Sequence, residues 1–286
     1  MPAIRPSTRR RLRTATLIAI AVAALGASRA RAQEAPPAVT IANTERRTLR
    51  SAATGREYDL YVLRPAVRPA PGARVPVLYV LDGQWDFKLL ASIQGGLYYD
   101  RSVPDAMVVG ITYAGASADY DSLRAIDYTP VAARATPGSG GAARFLEFLK
   151  TELIPFVERT YPADPTRRVL LGSSLGGLFT LHAMFTEPRL FAGYAAVSPA
   201  VTFADQAAFG GEADYARTHR ELPARLYVAV GGAEPLAGPV NAFVAQLRGR
   251  GHQGLTFESR TIVDERHSGV KPEAFNRGLR FLLPAP

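Results

Sequence analysis

Apolar runs of strand length recur at 58–63, 75–81, 107–112, 168–172, 193–197, 226–230 and 255–263, and several of the stretches between them are apolar at every third or fourth position. Alternation of this kind predicts strands joined by crossover helices, and so a mostly parallel sheet. The run Val75-Pro76-Val77-Leu78-Tyr79-Val80-Leu81 is almost continuously apolar, as strands covered by helices on both faces should be. The clearest helix is 142–159, where Phe145, Leu149, Leu153 and Phe156 share a face and Pro155 should kink or restart it. Further helices are predicted over 175–185, ahead of the turn region 249–254, and over 272–282 after the last strand. Residues 113–141 are rich in Gly, Ala, Ser, Asp and Pro without a clean period, and read as a long connection over the sheet's edge. Connections of that length are often functional.

The amino-terminal end is different. Arg5, Arg9, Arg10, Arg11 and Arg13 precede the apolar stretch Leu17 to Leu25, and Ala30-Arg31-Ala32 follows. This is the pattern of an export signal over 1–32, with cleavage leaving Gln33 first. The apolar stretch is much shorter than the roughly 20 residues of a spanning helix, which argues against an uncleaved anchor. Thr8-Arg9-Arg10-Arg11-Leu12-Arg13 also resembles a twin-arginine signal, so both export routes stand. Residues 33–45, rich in Ala and Pro, read as a flexible leader, and 46–286 as one catalytic domain of an exported, periplasmic or secreted protein.

That signal changes the meaning of the charge. The formal net charge is +9, but residues 1–32 hold seven arginines and no acid, so the remainder carries only +2. A chain so near neutrality, without a basic helix or tail, has no need of a nucleic-acid partner. With no cysteine among 286 residues, thiol catalysis, cysteine-bound metals and a disulfide framework are excluded. Nothing in the pattern sets an oligomeric state.

Chemistry enters at Gly172-Ser173-Ser174-Leu175-Gly176-Gly177, which follows a short apolar strand and opens a helix. In a strand-to-helix elbow the nucleophile sits in a strained turn, and small residues two positions to either side let the backbones pass. Ser174 is so placed. A serine hydroxyl needs a base, and in such a fold the histidine comes last in the chain, after the acid. His182 lies inside the helix that leaves the elbow, while His219 and His252 fall in polar loop or helix-end sequence. His267, after the last strand, is left as the base. For the acid, Glu234 follows a buried strand entering a tight turn, whereas Asp264 and Glu265 lie beside His267. Glu234 is the choice on position, with Asp264, or no acid at all, as alternatives. Oxyanion donors are expected from the N–H of Leu175 and from Gly83 or Gln84 in the loop after an early central strand. Trp85 reads equally as a wall of the substrate pocket or as a core residue.

Taken together, these segments resemble the putative-esterase family of α/β-hydrolases, and within it the enterobactin and salmochelin esterase-like proteins. The resemblance runs through Thr54-Gly55-Arg56-Glu57-Tyr58, Leu78 to Gly83, Val108 to Ile111, Asp127-Tyr128-Thr129-Pro130, the Ser174 elbow, Ser198-Pro199, and His267 with Gly278 to Phe281. It implies an α/β-hydrolase fold with a mostly parallel central sheet and helices on both faces. It also implies a serine esterase that acts through an acyl enzyme on a small-molecule ester, with no metal or organic cofactor. Arg124 matches the family's basic residue near the site, where it would hold an anionic or phenolic substrate group bidentately; its structural alternative is pairing with Asp127. The N-terminal β-sandwich of the larger cytoplasmic relatives has no counterpart here. The acyl enzyme could also be resolved by acyl transfer, and a catalytically silent binding protein of the same fold is the remaining rival.

Overall fold

A computed structural model describes residues 38–284. The export signal and residues 33–37 of the leader lie outside the described residues. Every described element belongs to the unit spanning 41–286.

The elements run β1 (Thr44–Arg50), β2 (Glu57–Leu63), β3 (Val75–Val80), α1 (Gly83–Tyr99), β4 (Met107–Tyr113), α2 (Tyr120–Asp127) and α3 (Ala142–Phe148). A π-helical segment (Leu149–Leu153) leads into α4 (Ile154–Thr160). There follow β5 (Ala163–Ser173), α5 (Leu175–Thr186), β6 (Gly193–Val197), α6 (Phe203–Thr218), β7 (Arg225–Gly231), α7 (Ala237–Arg250), β8 (Thr256–Ile262) and α8 (Lys271–Leu282). The strands form one eight-stranded sheet in the order β1-β2-β4-β3-β5-β6-β7-β8. β2 is antiparallel to both its neighbours, and from β4 to β8 every pairing is parallel. This is the α/β-hydrolase architecture.

The continuous apolar runs are explained by burial on two faces. In β3, Val77 and Tyr79 pack with Phe145, Phe148 and Phe179 on one side, while Leu78 and Val80 pack with Leu90, Phe275 and Leu279 of α1 and α8 on the other. Such a sheet needs crossovers, and all the parallel pairs have them. At Pro155 the helix restarts as expected: the π-helical segment ends one residue before α4, which carries the proline in its first turn, where no N–H is required.

Three features depart from the pattern. Strand β1, Thr-Glu-Arg-Arg-Thr-Leu-Arg, takes up Thr44 and Glu45 of the presumed leader; it is an edge strand, exposed along much of its length, and needs no apolar run. The helices α1 and α6 arise where the pattern was read as turns or left blank. Residues 113–141 carry α2 and lie over the carboxyl ends of the central strands, not over an edge: Arg124 reaches Asp82 and Ser173, and Tyr128 packs on Phe145 and Phe179. No described helix is long and apolar enough to cross a membrane.

Candidate active site

Ser174 sits between the end of β5 and the start of α5 with φ 58° and ψ −119°, a conformation that non-glycine residues rarely adopt. Such strain costs of order 1–3 kcal/mol and persists only where the surroundings enforce it. Here the Ser174 N–H donates to Val197 O, and its carbonyl accepts from the N–H groups of Ala200 and Leu178, each at 3.0 Å. The flanking glycines are required by contact: a Cβ on Gly172 would lie 2.3 Å from Gly176 O, and one on Gly177 would lie 2.9 Å from Pro199 Cα. The N–H of Leu175 has no acceptor among the described residues.

Glu234 and His267 are brought together. Glu234 follows β7 with its side chain 1% exposed, and Oε2 lies 2.5 Å from His267 Nδ1. Oε1 accepts from the Gly231 N–H at 2.7 Å and from the Ser198 hydroxyl. A carboxylate thus surrounded only accepts, so Nδ1 carries the proton and Nε2 is left with a free lone pair. The two loops are laced by Gly232 N–H to Ile262 O at 2.8 Å and Ala233 N–H to Glu265 O at 2.9 Å. Gly231 must be glycine there, because a Cβ would meet Glu265 O at 2.3 Å. Asp264 is exposed with φ 61°, and Glu265 holds its carboxylate against Gly269; neither bonds the imidazole. No hydrogen bond joins Ser174 Oγ to His267 among the described residues, and before substrate binds such contacts are often long.

The loop after β3 becomes the first turn of α1. Asp82 is left-handed (φ 55°, ψ 43°), and the N–H groups of Gly83 and Gln84 have no acceptor among the described residues. Gly83 lies so close to β4 that a Cβ would stand 2.7 Å from Gly110 C. The Gln84 side-chain oxygen accepts from Thr112 Oγ1 at 2.7 Å, while its Nε2 is buried without a partner among the described residues.

Arg124 does not pair with Asp127. Its Nε and Nη2 grip Asp82 at 2.8 and 2.7 Å, while Asp127 is held by Arg56 at 2.7 Å and by the Tyr58 hydroxyl at 2.7 Å. Burial opposes the Arg124 charge, but the bonds and charge of Asp82, with Tyr128 and Tyr113, leave its pKa raised. Burial likewise pushes the Asp127 carboxyl up, against the pull of Tyr58 and Arg56. Trp85 is 41% exposed, with Arg124 over its ring at 5.5 Å and Tyr120 edge-on at 6.3 Å, so it is not a core residue. Two contributors were given no role in the sequence reading. Ser198, wholly buried with φ 43°, is one. The other is the pair Asp86–Lys271, at 2.9 Å, which ties α1 to the start of α8 just beyond His267. The apolar spacing of Phe87, Leu90, Ala91 and Leu97 along α1 was the available signal for the helix that carries Asp86.

The remaining histidines lie apart from this cluster. His182 is half-buried in α5, where desolvation lowers its pKa; His219 stacks on Tyr215 at 4.5 Å, and His252 faces Glu212.

The family described as "Putative esterase" matches residues 51–251, more than half of the chain and including Ser174 and Glu234. The chain belongs to that family. This esterase is 30% identical over 266 residues to the ferri-bacillibactin esterase BesA of Bacillus subtilis, covering 86% of this chain and 91% of that one. It is 33% identical over 139 residues to the siderophore triacetylfusarinine C esterase of Aspergillus fumigatus, 44% of each chain. Among solved structures, the BES protein of Bacillus cereus superposes with a TM-score of 0.78 at 29% identity, over 87% of this chain and 97% of that one. The chain is accordingly a carboxylic ester hydrolase.

Proposed function

We propose that Ser174, His267 and Glu234 are its catalytic residues and that its natural substrate is a siderophore ester. The observation that carries the catalytic assignment is the Glu234–His267 contact: a buried carboxylate, itself held by Ser198 and Gly231, fixes the imidazole tautomer so that Nε2 is free to accept a proton. In this reading His267 Nε2 takes the Ser174 hydroxyl proton as Oγ attacks the ester carbonyl carbon. The N–H groups of Leu175 and of Gly83 or Gln84 receive the oxyanion. Collapse of the tetrahedral intermediate breaks the ester C–O bond, and the imidazolium returns its proton to the departing alkoxide. Water, activated by the same imidazole, then releases the acid and restores Ser174.

The siderophore assignment is supported by the relatives, BesA and the triacetylfusarinine C esterase, whose names specify siderophore substrates. Trp85, exposed beside Arg124, supplies an aromatic wall on which a flat ring could stack. The same proposal takes residues 1–32 as an export signal, placing the esterase outside the cytoplasm without a membrane anchor or a nucleic-acid partner.

The test is turnover of p-nitrophenyl acyl esters and of a triscatecholate lactone, with and without iron, by the protein lacking residues 1–32, beside Ser174→Ala. Wild type is expected to hydrolyse the lactone and to be labelled by a fluorophosphonate, with both lost in the variant. Turnover of simple esters alone would remove the siderophore assignment. Silence on every ester, without labelling, would leave a binding protein of hydrolase fold.

A further inference from the structure

Arg124 spends its fork on the protein. With Nε and one Nη2 hydrogen on Asp82 and the other Nη2 hydrogen turned to the Ser173 carbonyl at 3.5 Å, the side-on edge of the guanidinium, its planar two-point contact, is already taken by the protein.

What Arg124 holds are the two sides of the oxyanion site. Asp82 immediately precedes Gly83 and Gln84, and its left-handed backbone turns the chain from β3 into α1, setting the direction of the next two N–H groups. Every polar group of Asp82 is engaged: its N–H donates to the Tyr128 hydroxyl at 3.3 Å, its carbonyl accepts from Trp85 and Asp86 at 2.9 and 3.0 Å, and its carboxylate takes Arg124. On the other side, Arg124 Nη2 reaches the carbonyl of Ser173 at 3.5 Å, one residue before the nucleophile and two before Leu175. The Asp82 carboxylate also lies against the elbow, since a Cβ on Gly176 would stand 3.3 Å from Oδ2. Charge points the same way. Asp82 is 1% exposed, and an unpaired carboxylate there would oppose the negative charge that develops on the nearby ester oxygen.

We propose that Arg124 is a positioning residue: through Asp82 and the Ser173 carbonyl it fixes the spacing between the Leu175 N–H and those of Gly83 and Gln84, and it cancels the Asp82 charge. It therefore governs turnover of any ester and not affinity for a particular one. Lysine, a point charge with no fork, would neutralise Asp82 without bridging both groups. The inference rests on the serine-esterase reading above.

The experiment measures kcat and KM on neutral p-nitrophenyl butyrate and on a triscatecholate lactone for wild type, Arg124→Ala, Arg124→Lys, Asp82→Asn and the double variant Arg124→Ala/Asp82→Asn. Arg124→Ala should lower kcat about 100-fold on both esters with KM within about twofold, as loss of oxyanion stabilisation does. Arg124→Lys should fall between it and wild type. Asp82→Asn should share the kcat defect, and the double variant should be no worse than Arg124→Ala, because both changes dismantle one clamp. If Arg124→Ala does not fold, Arg124→Lys and Asp82→Asn, which keep the side-chain bulk, carry the same comparison. A raised KM for the lactone alone, with kcat on p-nitrophenyl butyrate unchanged, would overturn the proposal in favour of substrate contact; so would additive losses in the double variant. Failure of wild type on both esters, seen before any variant is compared, would instead overturn the serine-esterase reading.

Discussion

At the scale of single residues, Glu234 has three partners, and they do different work. His267 is oriented by one oxygen, while Ser198 and the Gly231 N–H hold the other in place. Replacing Glu234 with Gln keeps the shape but offers the imidazole an amide that can donate, which favours the wrong tautomer. Glu234→Gln is expected to lower kcat about 10³- to 10⁴-fold with KM little changed. Ser198→Ala removes one supporting hydrogen bond of about 1–1.5 kcal/mol and should cost about tenfold in kcat, restored in part by Thr if its methyl is accommodated. Steady-state kinetics on a chromogenic ester check both. That Glu234 stands beside His267 was legible from its position just past a buried strand. Ser198 was not: a serine after a strand resembles any turn residue until the fold brings it across 36 residues to the carboxylate.

Between elements, the helices α1 and α8 share one face of the sheet, and the ion pair Asp86–Lys271 joins them next to the His267 loop across 185 residues of chain. Burial pushes the Asp86 carboxyl up and Lys271 pulls it back. A buried pair costs most when one member is removed. Lys271→Met should destabilise the fold by about 3 kcal/mol, and Asp86→Asn on top of it should recover most of that loss, as read by urea unfolding. The helix α2 belongs to this scale as well. Its eight residues set Tyr120 and Leu123 against the core, and polar groups complete its placement: the Asp119 side chain accepts from the Ser122 N–H at its start, and Arg124 holds Asp82.

The unit spanning 41–286 is a sheet with an apolar layer on each face, and α5 carries the half-buried His182, whose Nε2 is shielded from solvent. Desolvation lowers the folded pKa of His182 below its ordinary value of 6.5. The unfolded chain therefore binds a proton first as pH falls, so the stability from burying a neutral imidazole is present above about pH 6.5 and lost on descent toward the folded pKa. His182→Phe should lose less of its melting temperature than wild type between about pH 7.5 and about pH 5, checked by thermal unfolding at each pH. The parallel sheet, its two-sided burial, the Ser174 elbow and the terminal His267 were determined by the sequence, since hydrophobic period and chain order are signals carried along one dimension. The tertiary structure alone decided that Arg124 clamps Asp82, that Ser198 steadies Glu234 and that a run as polar as Thr44–Arg50 forms a strand. Each depends on which distant groups burial brings together, and a buried polar group takes the partner that can satisfy it, whatever its distance along the chain.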